Sequence, residues 1–253
     1  MWSDRIRAMG APHWLALFGG ILAAWALLYA MAVPDALRQA GIAYGADLLD
    51  SLCVVTPDAA GFARLVLMWS LMSAAMMAPT ALPALATYED LGRAGGETSF
   101  GALVGGYLAV WFGFSVAAAA AQMALFRLEL VSPYGDSRSA ALSAALLALA
   151  GGYQFSRLKE ACLSKCRQPL TFFMTHWDEG AWRNGLRLGA VCLGCCWALM
   201  LLAFVGGVMN LAFMGLAATL MVLEKLPEIG RHLTRPLGVV LIAAAVATGL
   251  SAI

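Results

Sequence analysis

The chain has 253 residues, of which 62% are hydrophobic and 12% are charged, and its formal net charge is +1. Soluble domains have about half apolar and roughly a quarter charged residues, so this composition excludes an ordinary soluble enzyme and a disordered protein. The small net charge also excludes the cationic excess that binding to nucleic acid requires. The composition therefore predicts an all-α protein, a polytopic bundle of membrane helices.

Seven continuous apolar runs follow one another along the chain and predict seven transmembrane helices. They cover residues 13–32, 62–87, 100–126, 139–156, 186–205, 207–223 and 236–252. Most of them reach the ~20 residues that cross a ~30 Å hydrocarbon core, whereas the fourth, sixth and seventh are shorter. Backbone groups cannot stay unpaired in lipid, so each run should be helical. Together the runs predict a single integral membrane domain over residues 1–253.

The fifth and sixth runs raise the question of one helix or two. Residues 186–223 contain no acidic side chain. As one helix they would be about 57 Å long, which is too long for a single crossing. Gly206 and Gly207 lie near the middle of this stretch and are followed by Asn210. These residue types favour turns, so we predict a tight hairpin at this point.

The distribution of basic residues orients the predicted helices. With seven spans and the N-terminus inside, twelve Lys and Arg residues lie in cytoplasmic segments and four lie outside. This excess agrees with the positive-inside rule and places the C-terminus outside. The inner segment 157–185 is the most basic stretch, and the outer segment 33–61 contains Cys53. The dipeptide Glu224-Lys225 ends the sixth run and favours an interfacial ion pair or anchor.

Five of the six cysteines lie in or beside the predicted cytoplasmic half, where thiols are kept reduced. Cys162 and Cys166 are four residues apart in the inner segment, which places them on one face of a helix. Cys192, Cys195 and Cys196 share a helix face in the fifth run in the same way. Thiolates grouped like this are ligands for Cu(I) or Zn(II). The alternative is packing, because cysteine behaves as a small hydrophobe in apolar helices.

Methionine and histidine supply further candidate ligands. In the second run Met72 and Met76 lie one turn apart on one face, and Met77 is adjacent. Thioethers favour Cu(I) over Zn(II), although such a stripe also suits core packing. At 1.5 Å per residue, Met76 and Cys192 both lie about 9 Å from the inner membrane edge. His176 follows the inner cysteines and is the remaining candidate, although a lone interfacial histidine is more often only solvated.

Three motifs resemble those of a known family. They are Tyr153-Gln154-x3-Leu158-Lys159-x2-Cys162-Leu163-x2-Cys166-Arg167-x-Pro169, Cys192-x-Gly194-Cys195-Cys196-Trp197-x-Leu199-Met200 with Gly207-x-Met209-Asn210 and Glu224-Lys225, and Met72-x3-Met76-Met77-x-Pro79-x3-Pro83. Over residues 62–225 the chain resembles a bacterial domain-of-unknown-function family labelled predicted metal-binding integral membrane protein. The resemblance implies a multi-pass protein of the bacterial inner membrane that binds metal.

These features predict a membrane protein that binds a soft metal ion, Cu(I) rather than Zn(II), for transport or delivery. No Gly-x4-Gly-Lys-[Ser/Thr] motif occurs, so any transport would be passive, coupled to another ion or dependent on a partner. Besides the lipid bilayer, the expected partner is a soluble metal donor or acceptor.

Two alternatives stay open at this point. One is a membrane thiol–disulfide oxidoreductase, in which Cys192 with Cys195 and Cys162 with Cys166 would be redox pairs. The adjacency of Cys195 and Cys196 fits poorly with that chemistry, so a binding role is favoured over an enzymatic one. The other alternative is a structural or assembly subunit whose cysteines only pack.

Overall fold

The computed structural model describes residues 11–32, 54–94 and 98–251. This part of the chain is helical, and the predicted all-α fold is confirmed for it. Its nine helices are α1 Pro12–Met31, α2 Ala59–Arg93, α3 Phe100–Arg127, α4 Ala140–Tyr153, α5 Arg157–Arg167, α6 Pro169–His176, α7 Ala181–Met200, α8 Leu211–Lys225 and α9 Pro227–Leu250. Two single turns, Trp177–Glu179 and Ala203–Gly206, follow α6 and α7.

Each of the seven apolar runs corresponds to one of these helices. Five helices of the described part are long and apolar enough to cross a membrane, namely α1, α2, α3, α7 with its following turn, and α9. Helices α4 and α8 have 14 and 15 residues, so they are about 21 and 22 Å long. The long helices are consistent with a membrane protein, and the count of seven crossings stays a prediction. Cys53 and most of the outer segment 33–61 lie outside the described residues.

The hairpin predicted at Gly206 and Gly207 is confirmed. Gly207 has a φ of +96°, which side chains larger than hydrogen rarely adopt. Asn210 caps the next helix, because its side-chain oxygen accepts a hydrogen bond from the backbone N–H of Phe213 at 3.1 Å. The chain reverses here, so the far end of α8 returns to the level of the cysteines in α7.

Helices α3 and α7 form the most extensive helix pair in the described part. A Cβ at Gly185 would come within 2.2 Å of the backbone oxygen of Leu103, and one at Gly189 within 3.0 Å of the backbone oxygen of Tyr107. Two glycines spaced by four residues let the backbones of two helices approach this closely. This contact brings Tyr107 of α3 against the cysteine-bearing part of α7.

Buried polar side chains join α2 to α3. The indole Nε1 of Trp69 donates to Oε1 of Gln122 at 2.7 Å, and the hydroxyl oxygens of Ser73 and Ser115 are 3.1 Å apart. Interhelical hydrogen bonds of this kind satisfy polar groups that water cannot reach. They hold α2 at the centre of the bundle, next to the helices that carry the candidate ligands.

Two prolines, Pro79 and Pro83, lie inside α2 without ending the helix. Pro79 has no N–H to donate to the carbonyl of Ala75 one turn earlier. The indole Nε1 of Trp25 in α1 donates to that carbonyl instead, at 3.0 Å. The neighbouring helix thus satisfies a backbone group that the proline leaves free, which is what an irregular helix would need in a membrane.

Candidate metal centre

Three buried thiols of α7 form a compact group, here called the cysteine triad: Cys192, Cys195 and Cys196. Their sulfur atoms lie within 4.8 Å of one another, and each residue is 1% exposed. The Sγ atoms of Cys195 and Cys196 are 3.3 Å apart, and the Cys195 thiol donates to the Cys192 carbonyl at 3.1 Å. Two thiolates that share an ion at about 2.3 Å each are at most about 4.6 Å apart. The triad can therefore bind one metal ion with little movement.

The sulfur of Cys192 is in contact with polar groups from three other helices. The ammonium of Lys225, at the end of α8, donates to this sulfur at 2.9 Å. The hydroxyl oxygens of Tyr107 in α3 and Thr80 in α2 lie 3.1 and 3.8 Å away. Lys225 also donates to the Thr80 hydroxyl at 2.5 Å. An ammonium this close to a sulfur stabilises the thiolate, which is the form that binds metal.

Lys225 forms no ion pair with a carboxylate in the described part of the chain. It is 9% exposed. The adjacent Glu224 points to Lys159 instead, with 2.8 Å between Nζ and Oε2, and both of these side chains are 1% exposed. An ammonium buried without negative charge is strongly unfavourable. Among the described residues, the Cys192 thiolate is the group placed to balance the charge of Lys225.

The cysteine pair, Cys162 and Cys166 on α5, lies against the triad. The Sγ of Cys162 sits so close to Gly194 of α7 that a Cβ there would be 2.6 Å from it. The thiol of Cys166 interacts with the thiol of Cys195. Both residues of the pair are half-buried, and burial raises the pKa of the Cys162 thiol, against the opposing effect of the Lys165 ammonium. The tertiary fold thus brings together the two cysteine groups that the sequence keeps apart.

Two contacts with a single residue hold α5 in this position. One is the buried ion pair of Lys159 with the Glu224 carboxylate. The other comes from Arg167, whose Nε and Nη2 donate to the backbone oxygen of Glu224 at 3.0 and 2.8 Å. Because Glu224 precedes Lys225, the placement of the cysteine pair is coupled to the placement of the ammonium at Cys192.

The three candidate methionines are buried on α2. Met72 and Met76 lie on a face that reaches Thr80 one turn later. Met77 contributes through its backbone, because its carbonyl accepts hydrogen bonds from Tyr107 and Thr80, both at 2.8 Å. The methionine stripe thus ends at the metal centre, and coordination by the thioethers of Met72, Met76 and Met77 stays a prediction.

His176 lies at the end of α6 and away from the triad. Its Nδ1 is 2.9 Å from the backbone oxygen of Phe172, and its ring packs on that phenyl ring at 5.3 Å between centroids. It borders a separate pocket together with Lys165. Among the described His, Cys, Asp and Glu residues, the group close enough to share an ion consists of the triad, without His176. Its role as a ligand stays a prediction that this geometry does not favour.

A cavity of about 470 Å³ lies beside the triad. Cys192 of the triad and Cys166 of the pair both line it, together with Lys225 and Arg167. The exposed Pro83 lies at its rim, so the cavity reaches the protein surface. It connects the buried triad with the outside of the described bundle.

One sequence comparison bears directly on this centre. The profile of a family described as PpoB2, copper chaperone, matches residues 66–248, which is more than two thirds of the chain. The chain belongs to this copper-chaperone family. The matched region contains the triad, the pair and Lys225, so the whole centre is inside it. No curated protein and no solved structure matches the chain.

The family match confirms the motif-based resemblance at the level of a metal-binding family. The family that matches carries the description of a copper chaperone, which differs from the label predicted metal-binding integral membrane protein. The copper-chaperone description agrees with the buried group of thiols, and both indicate a metal such as copper.

Three residues of the candidate metal centre were not predicted from the sequence: Thr80, Tyr107 and Lys225. Of the two roles expected for Glu224-Lys225, an ion pair between the two residues is wrong, since each side chain has a different partner, and the role of an anchor stays a prediction. One signal was present in the sequence. Lys225 follows Glu224 at the end of a long acid-free run. A lysine in a membrane needs an anionic group nearby, and the cysteines, like Glu224, are such groups.

Proposed function

We propose that this chain is an integral membrane protein that binds Cu(I) through the cysteine triad and delivers it to, or moves it towards, a partner. One observation carries the proposal: three thiols lie within 4.8 Å of one another, with an ammonium 2.9 Å from one of them. Soft thiolates select Cu(I). Two thiolates with Cu(I) have a net charge of −1, which the Lys225 ammonium neutralises. A neutral centre avoids the cost of burying charge in hydrocarbon.

Zn(II) is the second candidate metal. Structural zinc sites are nearly always four-coordinate, whereas the triad supplies three sulfurs. No Asp or Glu lies in residues 62–87 or 186–223, so these two apolar runs offer none of the hard oxygen ligands that zinc also accepts. Thioethers of Met72, Met76 and Met77, which we propose as auxiliary ligands, would favour Cu(I) further.

The membrane assignment belongs to the same proposal. We place the protein in the inner membrane of a bacterium, with seven crossings and the N-terminus inside. Five long apolar helices and the excess of basic residues in the predicted inner segments support this topology. Helices α4 and α8 would be the two short crossings. A reporter fused to the C-terminus should be active only as a periplasmic reporter, and cytoplasmic activity would contradict the topology.

Delivery requires that the ion be exchanged with a soluble donor or acceptor. The half-buried cysteine pair is the group that such a partner can reach, and Cys166 interacts with Cys195 of the triad. Cu(I) would then pass between sulfurs by ligand exchange. Thiol–disulfide exchange is less well supported, because Cys195 and Cys196 are adjacent within the continuous helix α7, a setting that fits poorly with a redox pair.

The test is a metal titration of purified protein in detergent under reducing, anaerobic conditions. Cu(I) and Zn(II) are each supplied from a buffered chelator, and X-ray absorption counts the sulfur ligands. We expect one Cu(I) per chain with two or three sulfur ligands, and loss of this site when Cys195→Ser and Cys196→Ser are combined. Cys53→Ser, at the predicted outer position, is the matched control and should bind normally. Tighter binding of zinc, or normal Cu(I) binding by the double variant, would contradict the proposal.

A further inference from the structure

The cavity beside Cys192 is much larger than a metal ion needs. Its volume of about 470 Å³ lies in the range of roughly 300–1,000 Å³ that is typical of pockets for small organic ligands. It is bordered by residues of α2, α3 and α5 to α9, and most of its lining is apolar. These properties indicate that a molecule, and not only an ion, can occupy it.

The charged lining of this cavity has one sign. Lys225 and Arg167 both line it, and none of its described lining residues is acidic. The polar contacts of the Lys225 ammonium are with Thr80 and the Cys192 sulfur, so the described part of the chain brings no carboxylate to it. Low-dielectric walls strengthen the attraction of such a cation for an anionic ligand. The two thiols in the same lining, Cys166 and Cys192, add affinity for a soft metal.

We propose that this cavity binds an anionic low-molecular-weight thiol and that Cu(I) enters or leaves the triad as the complex of that thiol. This inference rests on the proposed binding of Cu(I) and names the carrier. A carboxylate of the carrier would pair with Lys225, and its sulfur would lie towards Cys192 and Cys166. The mostly apolar lining would surround the remainder of the molecule.

The transfer is a ligand exchange in which copper stays Cu(I). The Cys192 thiolate bonds to the copper of a bis-thiolate carrier complex, and one carrier sulfur–copper bond then breaks. A second exchange at Cys195 or Cys166 releases the other carrier molecule. A proton on an incoming thiol passes to the departing carrier thiolate. Two sulfur–copper bonds form and two break, so no oxidant or reductant is needed.

The experiment uses S-methylglutathione, which has two carboxylates and a blocked sulfur. Its binding therefore measures recognition by the cavity without any reaction of the thiol. Its binding to metal-free protein in detergent is measured by equilibrium dialysis, beside its diethyl ester, in which both carboxylates are neutral. We expect wild-type protein to bind the acid and not the ester. Lys225→Met should weaken this binding about tenfold to a hundredfold, because a charge-assisted hydrogen bond is lost. Lys225→Arg should retain most of this binding. Arg231→Met removes an exposed cation outside the cavity lining and should not change the binding.

Equal affinity of the wild-type protein for the acid and the ester would overturn the carrier site, and this comparison holds even where Lys225→Met does not fold. Equal affinity of wild-type and folded Lys225→Met protein for the acid would also overturn it. A parallel Cu(I) titration separates the two proposals. If the protein binds Cu(I) but not the probe, only the proposed carrier site is contradicted. If the protein binds the probe but no Cu(I), the proposed function is contradicted, and the carrier role is contradicted with it.

Discussion

The cysteine triad and the cysteine pair place the same chemical group in two different environments. The triad lies on α7, an apolar helix that packs against α3, α4, α5 and α8, and its residues are 1% exposed. The pair lies on α5, an 11-residue helix with charged residues along its length, and both of its thiols are half-buried. The triad is reached through the adjoining cavity, whereas the half-buried pair can meet a soluble partner directly. Under the proposed function, the triad would hold the metal and the pair would exchange it.

The two regions also differ in what holds them in place. Helix α7 is fixed by close backbone contact with α3 at Gly185 and Gly189. Helix α5 depends on the contacts of Lys159 and Arg167 with Glu224. Packing is spread over many atoms, whereas an ion pair can be lost by changing one group. Disturbance of Glu224 should therefore detach the pair while the triad stays folded.

The largest expected effect follows from Glu224→Gln. This change leaves the Lys159 ammonium buried without a carboxylate, and breaking a buried pair in this way costs about 3–5 kcal/mol. The free energy of unfolding in detergent should fall by about that amount. Glu179→Gln is the matched control, because it breaks the more exposed pair of Glu179 with Arg187 and should cost less than about 1 kcal/mol. Equal losses in the two variants would show that α5 does not depend on the buried pair.

A reversed pair sharpens this test. Lys159→Glu combined with Glu224→Lys restores opposite charges at the same two positions and should recover part of the lost stability. Crosslinking of Cys166 to Cys195 should be lost in Glu224→Gln and return in the reversed pair. Crosslinking that persists in Glu224→Gln would mean that α5 is held by other contacts.

The next effect is on metal affinity. Serine in place of Cys195 or Cys196 removes a soft ligand of the triad and should weaken Cu(I) binding about a hundredfold or more, which is about 2.7 kcal/mol. Serine in place of Cys162 should change the affinity less than about tenfold, because the triad remains complete. Chelator competition measures both. Similar losses of Cu(I) affinity on replacing Cys162 and Cys195 would contradict the assignment of the triad to metal binding and of the pair to exchange.

A smaller effect is expected on the rate of loading. Combining Cys162→Ser with Cys166→Ser removes the half-exposed thiols through which a soluble donor would exchange Cu(I). Stopped-flow transfer from a thiolate-bound Cu(I) donor should slow about tenfold while the final occupancy stays near that of wild type. Cys53→Ser again serves as the control. Unchanged transfer rates would show that copper reaches the triad by another route.

The smallest expected effect is the change with pH in the reactivity of the Cys162 thiol. Burial raises the pKa of the Cys162 thiol, so at neutral pH a smaller fraction is thiolate in the folded than in the unfolded protein. This residue therefore favours the folded state below its unfolded pKa, and that contribution is lost as pH rises through the folded pKa. Alkylation of Cys162 by iodoacetamide, followed by mass spectrometry, should be severalfold slower in folded than in denatured protein at neutral pH. The difference should shrink as pH rises.

A matched variant tests the electrostatic part of this shift. The Lys165 ammonium opposes the effect of burial on Cys162. Lys165→Met should therefore raise the pKa further and slow alkylation again. Faster alkylation of Cys162 in folded wild-type protein at neutral pH would contradict the assigned direction.

Much of the local structure can be predicted from residue types and spacing. Continuous apolar runs indicate helices, because backbone groups in lipid have no other partners. Gly206, Gly207 and Asn210 indicate the reversal between α7 and α8, because each suits a turn or a helix cap. The cysteines at helical spacing indicate the candidate ligands, and the structure places three of them within 4.8 Å of one another. Each of these inferences depends on neighbours within about one turn of the chain.

The composition of the centre depends on contacts between residues far apart in sequence, and only the tertiary fold decides them. Apolar helices are apolar on every side, so hydropathy does not show which side faces a neighbour. Sequence therefore did not show that Glu224 pairs with Lys159 while Lys225 points to Cys192, or that Tyr107 and Thr80 meet there. Nor did it separate Cys166, which contacts the triad, from His176, which does not. A buried charge takes the partner that packing brings within reach, and that partner was 33 residues away for Lys225 and 65 for Glu224.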